Sequence, residues 1–295
     1  MRASMLFVCM AAITGTASAA IPASERQALI DIYTSTNGPN WNNKTGWLGA
    51  PGTECNWHGV LCSLDSVRNL FLDSNNLVGS LPSINALRNL DFLHLGGNRL
   101  SGPIPSFDGM TRLTHIWLND NQFTGTIPPI TGSPLLLQVR IGNNQLTGPV
   151  PALTGLDDLS ILYLSNNQLT GTIPSLAGLV DLQSLYLNDN RLTGTLPSFD
   201  GLSSLEDVNL SDNRLRGPIP SLTGAPNLRW VRLDGNRLTG VVPTAPPNLG
   251  TFASDLCPNF LAPTPNAAWD AATGDTPWYR NCNTDTIFAD GFDEA

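Results

Sequence analysis

Between residues 66 and 245 the hydrophobic and polar positions follow one template. In the copy at 162–174 the apolar residues are Leu162, Leu164, Leu169 and Ile173, with polar or small residues between them except at Tyr163. Leu162-Tyr163-Leu164 alternates as a short strand does, with both leucines on one face and the tyrosine on the other. Asparagine recurs at 75, 98, 121, 144, 167, 190, 213 and 236, a spacing of 23 each time. Glycine follows four residues later in all eight copies and proline three after that, as in Gly171 and Pro174. Three ladders in phase define a repeated unit that buries its apolar face only by stacking on its neighbours. The pattern predicts one short strand per unit, parallel from unit to unit, ended by the asparagine. The asparagine amide would satisfy backbone groups where the strand stops. The glycine permits a tight bend, and the proline ends hydrogen bonding before the opposite side.

The unit L-x-L-x-x-N-x-L resembles the leucine-rich repeat. The version Asn167-Gln168-Leu169-Thr170-Gly171-Thr172-Ile173-Pro174 resembles the plant extracellular type, found in receptor-kinase ectodomains and polygalacturonase-inhibiting proteins. The flank agrees: Asn37-Gly38-Pro39-Asn40-Trp41 and Cys55-Asn56-Trp57-His58-Gly59-Val60-Leu61-Cys62 are similar to that family's amino-terminal cap. The resemblance runs over roughly 24–245. It implies an α/β-type solenoid: a leucine-rich-repeat superhelix with a parallel β-sheet on its concave face and short irregular or 3-10 segments on its convex side. Two departures stand out. The unit is one residue shorter than the family's usual repeat, and neither a membrane span nor a kinase domain accompanies it. The ending Ile287-Phe288-Ala289-Asp290-Gly291-Phe292 resembles that of exported bacterial proteins.

The flanks read as caps on the exposed ends of the stack. The expected division is a signal peptide at 1–19, an N-terminal cap at 20–65, eight repeats at 66–245, a C-terminal cap at 246–284 and an acidic tail at 285–295. Arg2, the apolar run Met5 to Ile13 and Ala17-Ser18-Ala19 form an export signal cleaved near Ala19. Such a stretch is too short to span a bilayer. Export places the mature chain in the medium, the periplasm or at the cell surface. Ser24 is a helix N-cap candidate, followed by Ala28, Leu29, Ile32 and Tyr33 at helical spacing. Trp41, Trp47 and Trp57 supply bulk at one end, and Trp269, Trp278 and Tyr279 at the other. Cleavage removes Cys9 and leaves Cys55, Cys62, Cys257 and Cys282. Four cysteines allow three pairings. With two before the repeats and two after, the local disulfides 55–62 and 257–282 are favoured. A zinc site is the competing reading, disfavoured because no histidine stands at ligand spacing.

Charged residues make up 13% of the chain and the net charge is −9, or −10 once the signal and its Arg2 are gone. That disfavours nucleic acid, which calls for a basic face. The common catalytic motifs are absent, so neither a catalytic residue nor a cofactor is assigned. His94 and His115 near Trp117 lack a third metal ligand. Asp120, Asp189 and Asp212, each just before a ladder asparagine, read as turn residues.

Packing does not dictate the outward strand positions, so they carry the functional information. The residue between the two inward apolars runs Phe71, His94, Trp117, Arg140, Tyr163, Tyr186, Asn209, Arg232. The preceding outward position adds Phe92, His115, Ile161 and Trp230. A merely solvated face would carry Ser, Thr, Asn and Lys. Aromatics with interspersed arginine match binding hot spots, although aromatics also suit exposed strands on propensity alone. A second series, Arg99, Gln122, Gln145, Gln168, Arg191, Arg214 and Arg237, lines one edge as a polar rim. The reading is a recognition module that binds a protein on its concave face, with inhibition of a secreted enzyme as one mode. A carbohydrate-binding module, with Trp117, Tyr163 and Tyr186 stacking on sugar rings, and a cell-surface spacer are the alternatives.

Overall fold

The computed structural model describes residues 21–280 and 282; the expected signal peptide (1–19) and acidic tail (285–295) lie outside them. The chain coils into a leucine-rich-repeat solenoid whose strands stack turn on turn. The long sheet has nine strands. Val60–Ser63 pairs antiparallel with Ser66–Phe71, and the rest are parallel: Phe92–His94, His115–Trp117, Gln138–Arg140, Ile161–Tyr163, Ser184–Tyr186, Asp207–Asn209 and Trp230–Arg232. Equivalent residues stand opposite each other, so Leu162 pairs with Leu185 and Tyr163 with Tyr186. The inward leucines at these positions have no accessible surface and join one core that runs the length of the stack.

The asparagine ladder is the hydrogen-bonding spine. Asn167 Nδ2 donates to the carbonyls of Ile141, Leu164 and Ser165 at 3.1–3.3 Å, and its Oδ1 accepts from Leu146 N at 3.0 Å. Each amide thus ties its own turn to the one before it. The residue preceding the asparagine adopts the left-handed conformation in several turns, as at Asp120 (φ 57°), Asp189 (φ 54°) and Asp212 (φ 52°), where Asp and Asn are tolerated. Asn259 continues the spacing one step further: it donates to Leu233 O and Leu256 O and accepts from Leu238 N. The asparagine spine therefore has a ninth step, inside the segment expected to be a plain C-terminal cap.

A second parallel sheet, of five strands, was not expected: Val78–Ser80, Arg99–Pro103, Gln122–Thr126, Gln145–Pro149 and Gln168–Thr170. Its register is offset, so Gly125 stands opposite Leu146 rather than Gly148. Gly148 holds φ 75°, which lets the strand bend there and still pair. A third parallel sheet, of Arg216–Gly217, Arg237–Gly240 and Phe260–Leu261, takes over in the last turns. The described convex connections carry no helix, and the 3-10 segments, Gly38–Asn40 and Glu54–Asn56, lie in the N-terminal flank instead.

At that flank the helix runs Ala23–Ser35, beginning after Pro22, which has no side chain to cap with. Ser24 is therefore inside the first turn and not its cap; the fixed φ of proline starts the helix a residue earlier. Buried Glu25 takes over a capping role for the sheet, accepting from Val67 N at 2.7 Å and from Ser66 Oγ. Trp41, Trp47 and Trp57 are buried against each other, and Trp269 and Trp278 are buried at the far end. Disulfides join Cys55 to Cys62 and Cys257 to Cys282.

Candidate functional site: the outward face of the long sheet

Because the strands are in register, the outward residues form two straight rows. One reads Phe71, His94, Trp117, Arg140, Tyr163, Tyr186, Asn209, Arg232, and ends at Asp255 through an isolated bridge to Arg232. The other reads Asn69, Phe92, His115, Gln138, Ile161, Ser184, Asp207, Trp230. All ten ligand-binding candidates from the sequence stand on these two rows.

In the first four repeats the rings are stacked. His94 and Trp117 lie parallel, 3.9 Å between centroids and 1° between planes. Phe92 and His115 stack at 4.4 Å, and Phe71 meets His94 at 4.9 Å. The Arg140 guanidinium lies over the Trp117 ring at 5.0 Å, within cation–π range. This packing covers His94, which keeps 8% exposure on its outward row: its ring is sandwiched between Phe71 and Trp117. Asn209 is buried as well, its Oδ1 accepting from Ser211 N and Oγ. Burial lowers the His94 pKa to about 4, helped by His115 and Arg140, and lowers that of His115 too, with Arg140 assisting. Both rings are neutral at pH 7.

In the last four repeats the ring contacts are looser and several raised acids gather, whereas the first four hold one among the described residues, Asp73. Tyr163 meets Tyr186 at 5.9 Å and Tyr186 meets Trp230 at 5.8 Å, both tilted. Tyr163 also lies across Gly142, where a Cβ would fall 2.1 Å from the ring. Asp207, Asp234 and Asp255 stand at this end and were not singled out in the sequence, although Asp207 belongs to the second outward row. Desolvation raises Asp234 to about 7, with Asp255 and Asp212 adding repulsion. Asp207 and Asp212 are raised as well, chiefly by burial.

Seven buried polar side-chain atoms lack a hydrogen-bond partner among the described residues, and five belong to this face in repeats one to four: Asn69 Oδ1, His94 Nε2, Trp117 Nε1, Gln138 Oε1 and Arg140 Nε. Buried groups are normally paired, and these five unpaired atoms stand together on one part of the face. No group of three or more potential metal ligands exists among the described residues. No helix among them is long and apolar enough to cross a membrane.

Comparison with known proteins agrees with this architecture. Leucine-rich-repeat models match residues 89–110, 112–133, 204–225 and 227–249, and a two-copy leucine-rich-repeat model matches 157–193. No curated protein matches the chain. Among solved structures, the plant peptide hormone receptor RGFR1 in complex with RGF2 is 36% identical, with a TM-score of 0.58 over 63% of this chain and 31% of the receptor. A TDR receptor is 28% identical, with a TM-score of 0.58 over 70% of this chain and 42% of that one. The PEPR1–AtPEP1 structure is 25% identical, with a TM-score of 0.59 over 81% and 42%. The chain thus spans between 31% and 42% of the length of these receptors. It carries leucine-rich repeats and is similar in structure to plant leucine-rich-repeat receptor ectodomains.

Proposed function

We propose that the chain is an exported recognition module that binds a protein partner, as an extended segment, on the concave face of its long sheet, and that it acts by binding rather than by catalysis. The observation that carries this reading is the cluster of unpaired polar atoms in and around the stacked rings of repeats one to four. Tight aromatic and arginine clusters are where binding energy concentrates. The similar receptors RGFR1 and PEPR1 were solved with RGF2 and AtPEP1, which supports a peptide segment as the occupant. Two disulfides suit an oxidising compartment, in line with a signal peptide removed near Ala19 and a secreted, bacterial origin. Inhibition of a secreted enzyme is the mode we assign: covering a partner's surface needs no chemistry from this chain.

The test is affinity capture from secreted proteins beside a glycan array, with Trp117→Ala, Tyr163→Ala and convex Ser175→Ala as controls. Each concave change is expected to cost more than about 1 kcal/mol of affinity and Ser175→Ala nothing. A partner retained equally by all three variants would place the site elsewhere. Binding to glycans alone would make this a carbohydrate-binding module.

A further inference from the structure

Arg26, Arg68 and Arg140 are the half-buried arginines among the described residues. Arg26 pairs with Glu54 and Arg68 with Asp91. Arg140 pairs with no carboxylate among the described residues. It rests instead on Trp117, which rests on His94, a three-layer stack across the strands of repeats two to four. His94, more than nine-tenths buried, has an unpartnered Nε2, and Gln138, two residues before Arg140 on the same strand, has an unpartnered Oε1. A partly desolvated cation without a counter-charge is costly. Where the fold half-buries an arginine for its own purposes, it supplies the acid; here it does not.

We propose that the ligand supplies it: Arg140, held flat by Trp117 and His94, anchors an aspartate or glutamate side chain of a peptide laid across the concave face. This rests on the recognition reading above and deepens it to a ligand chemistry. A guanidinium presents a planar fork that matches a carboxylate bidentately, and the cation–π contact fixes its plane before the ligand arrives. Gln138, two residues before Arg140 on the same strand and unpartnered at Oε1, supplies an acceptor for the backbone N–H of the same ligand residue. An acceptor next to a carboxylate-binding donor pair matches an aspartyl unit of a peptide better than a sugar acid, whose ring presents hydroxyls. Specificity is local, because the chain as a whole carries −9 and repels acidic partners at a distance.

The experiment uses two small probes and a peptide array on the whole protein. The indole N–H resonance of Trp117, assigned by its loss in Trp117→Phe, is followed while N-acetyl-aspartate N-methylamide or its asparagine counterpart is titrated. The aspartate probe is expected to move the resonance saturably, the asparagine probe to leave it, and Arg140→Gln to abolish the response while thermal unfolding is unchanged. On an array of peptides blocked at both ends, the wild type should prefer Asp or Glu at one position by about tenfold over Asn or Gln, and Arg140→Gln should lose that preference. Equal responses to the two probes, no response to either, or acid preference retained by Arg140→Gln overturns the anchor. Peptides bound without acid preference overturn it too and leave the recognition reading standing. A saturable aspartate response with no peptide retained supports the anchor and sinks peptide recognition on this face. A stronger response to glucuronate than to the aspartate probe replaces the peptide by an acidic glycan and overturns the proposal.

Discussion

The two ends of the long sheet are built on one scaffold and carry opposite surfaces. In repeats one to four, neutral histidines and aromatics stack tightly around one unpaired arginine. In repeats five to eight, tilted aromatics stand among carboxylates that burial and mutual repulsion have raised. Underneath, the hydrogen bonds are the same. Asn98 donates to Leu72, Leu95 and Gly96 carbonyls, and Asn236 to those of Leu210, Leu233 and Asp234, at 2.9–3.2 Å in both. A solenoid separates structure from recognition by position within the repeat: inward and ladder residues must repeat, outward ones need not. The contrast along the outward rows is therefore not imposed by the scaffold.

The largest expected effects test whether the scaffold is equivalent at the two ends. Asn98→Ala and Asn236→Ala should each destabilise by about 1–3 kcal/mol, the cost of leaving buried backbone groups unpaired. A denaturant titration giving clearly unequal losses would mean that the ends differ in more than surface.

A smaller pair uses one column of the repeat. Gly96 and Gly142 hold equivalent positions, and neither has a positive φ, so alanine strains neither backbone. A Cβ at 142 would strike the Tyr163 ring at 2.1 Å, whereas at 96 it would meet Asn119 Oδ1 at 3.3 Å. Gly142→Ala should push Tyr163 outward at about 1 kcal/mol, and Gly96→Ala should stay within about 0.5 kcal/mol. Unfolding midpoints and the Tyr163 ring resonances check both; an undisturbed Tyr163 in the first variant would contradict the packing described.

Acidity should move the two ends in opposite senses. His94 is depressed from 6.5 to about 4, so the unfolded chain binds its proton more readily. Its contribution is complete above pH 6.5 and is lost as pH falls towards 4. Asp234 is raised from 3.8 to about 7, so here the folded chain binds the proton more readily. Stability contributed there declines as pH rises from about 4 to about 7. Hydrogen exchange at pH 5 against pH 7.5 should show repeats two and three, which hold His94 and His115, loosened and repeats seven and eight tightened. Repeat one is not expected to follow its neighbours, because burial raises its own Asp73. Asp234→Asn should stabilise by about 1 kcal/mol above pH 7, allowing for solvent screening of a partly exposed group, and by nothing near pH 3. Exchange that shifts in the same direction at both ends would undo the comparison.

What the sequence disclosed follows from what repeats. The spacing of Asn167 and its equivalents is enough for the turn, the parallel register and the core. The second sheet was hidden because four of its five strands have a glycine inside and the fifth is followed by one, with prolines close by as in Gly148 and Pro149, and both argue against strands. Asn259 was legible by its spacing of 23 but lacks the glycine and proline that follow the others. The outward aromatics were readable one strand at a time. The sandwiching of His94 was not, since it depends on the size of Trp117 one turn away. Nor was the acidic end, where Asp234 and Asp255 come from different positions in successive turns and meet only in space.

The smallest expected effect concerns the rim beside the outward rows. It reads glutamine in the middle turns, at Gln122, Gln145 and Gln168, and arginine towards the acidic end, at Arg191, Arg214 and Arg237. The rim thus changes between repeats five and six, one turn beyond the change in the face, with Arg99 as a further arginine at the other end. Gln145 and Arg191 are exposed, and no side-chain hydrogen bond or ion pair among the described residues fixes either one. Exposed charges at such distances are screened by salt and contribute little to stability. Gln145→Ala and Arg191→Ala should each change stability by less than about 0.5 kcal/mol. They should differ in salt response: Arg191→Ala should make stability rise with added salt, because uncompensated carboxylates then repel one another, while Gln145→Ala should leave the dependence of the wild type. Thermal unfolding across a range of sodium chloride concentrations reads this directly. If the two variants respond alike, the arginines are an ordinary solvated edge and the division between the halves belongs to the concave face alone.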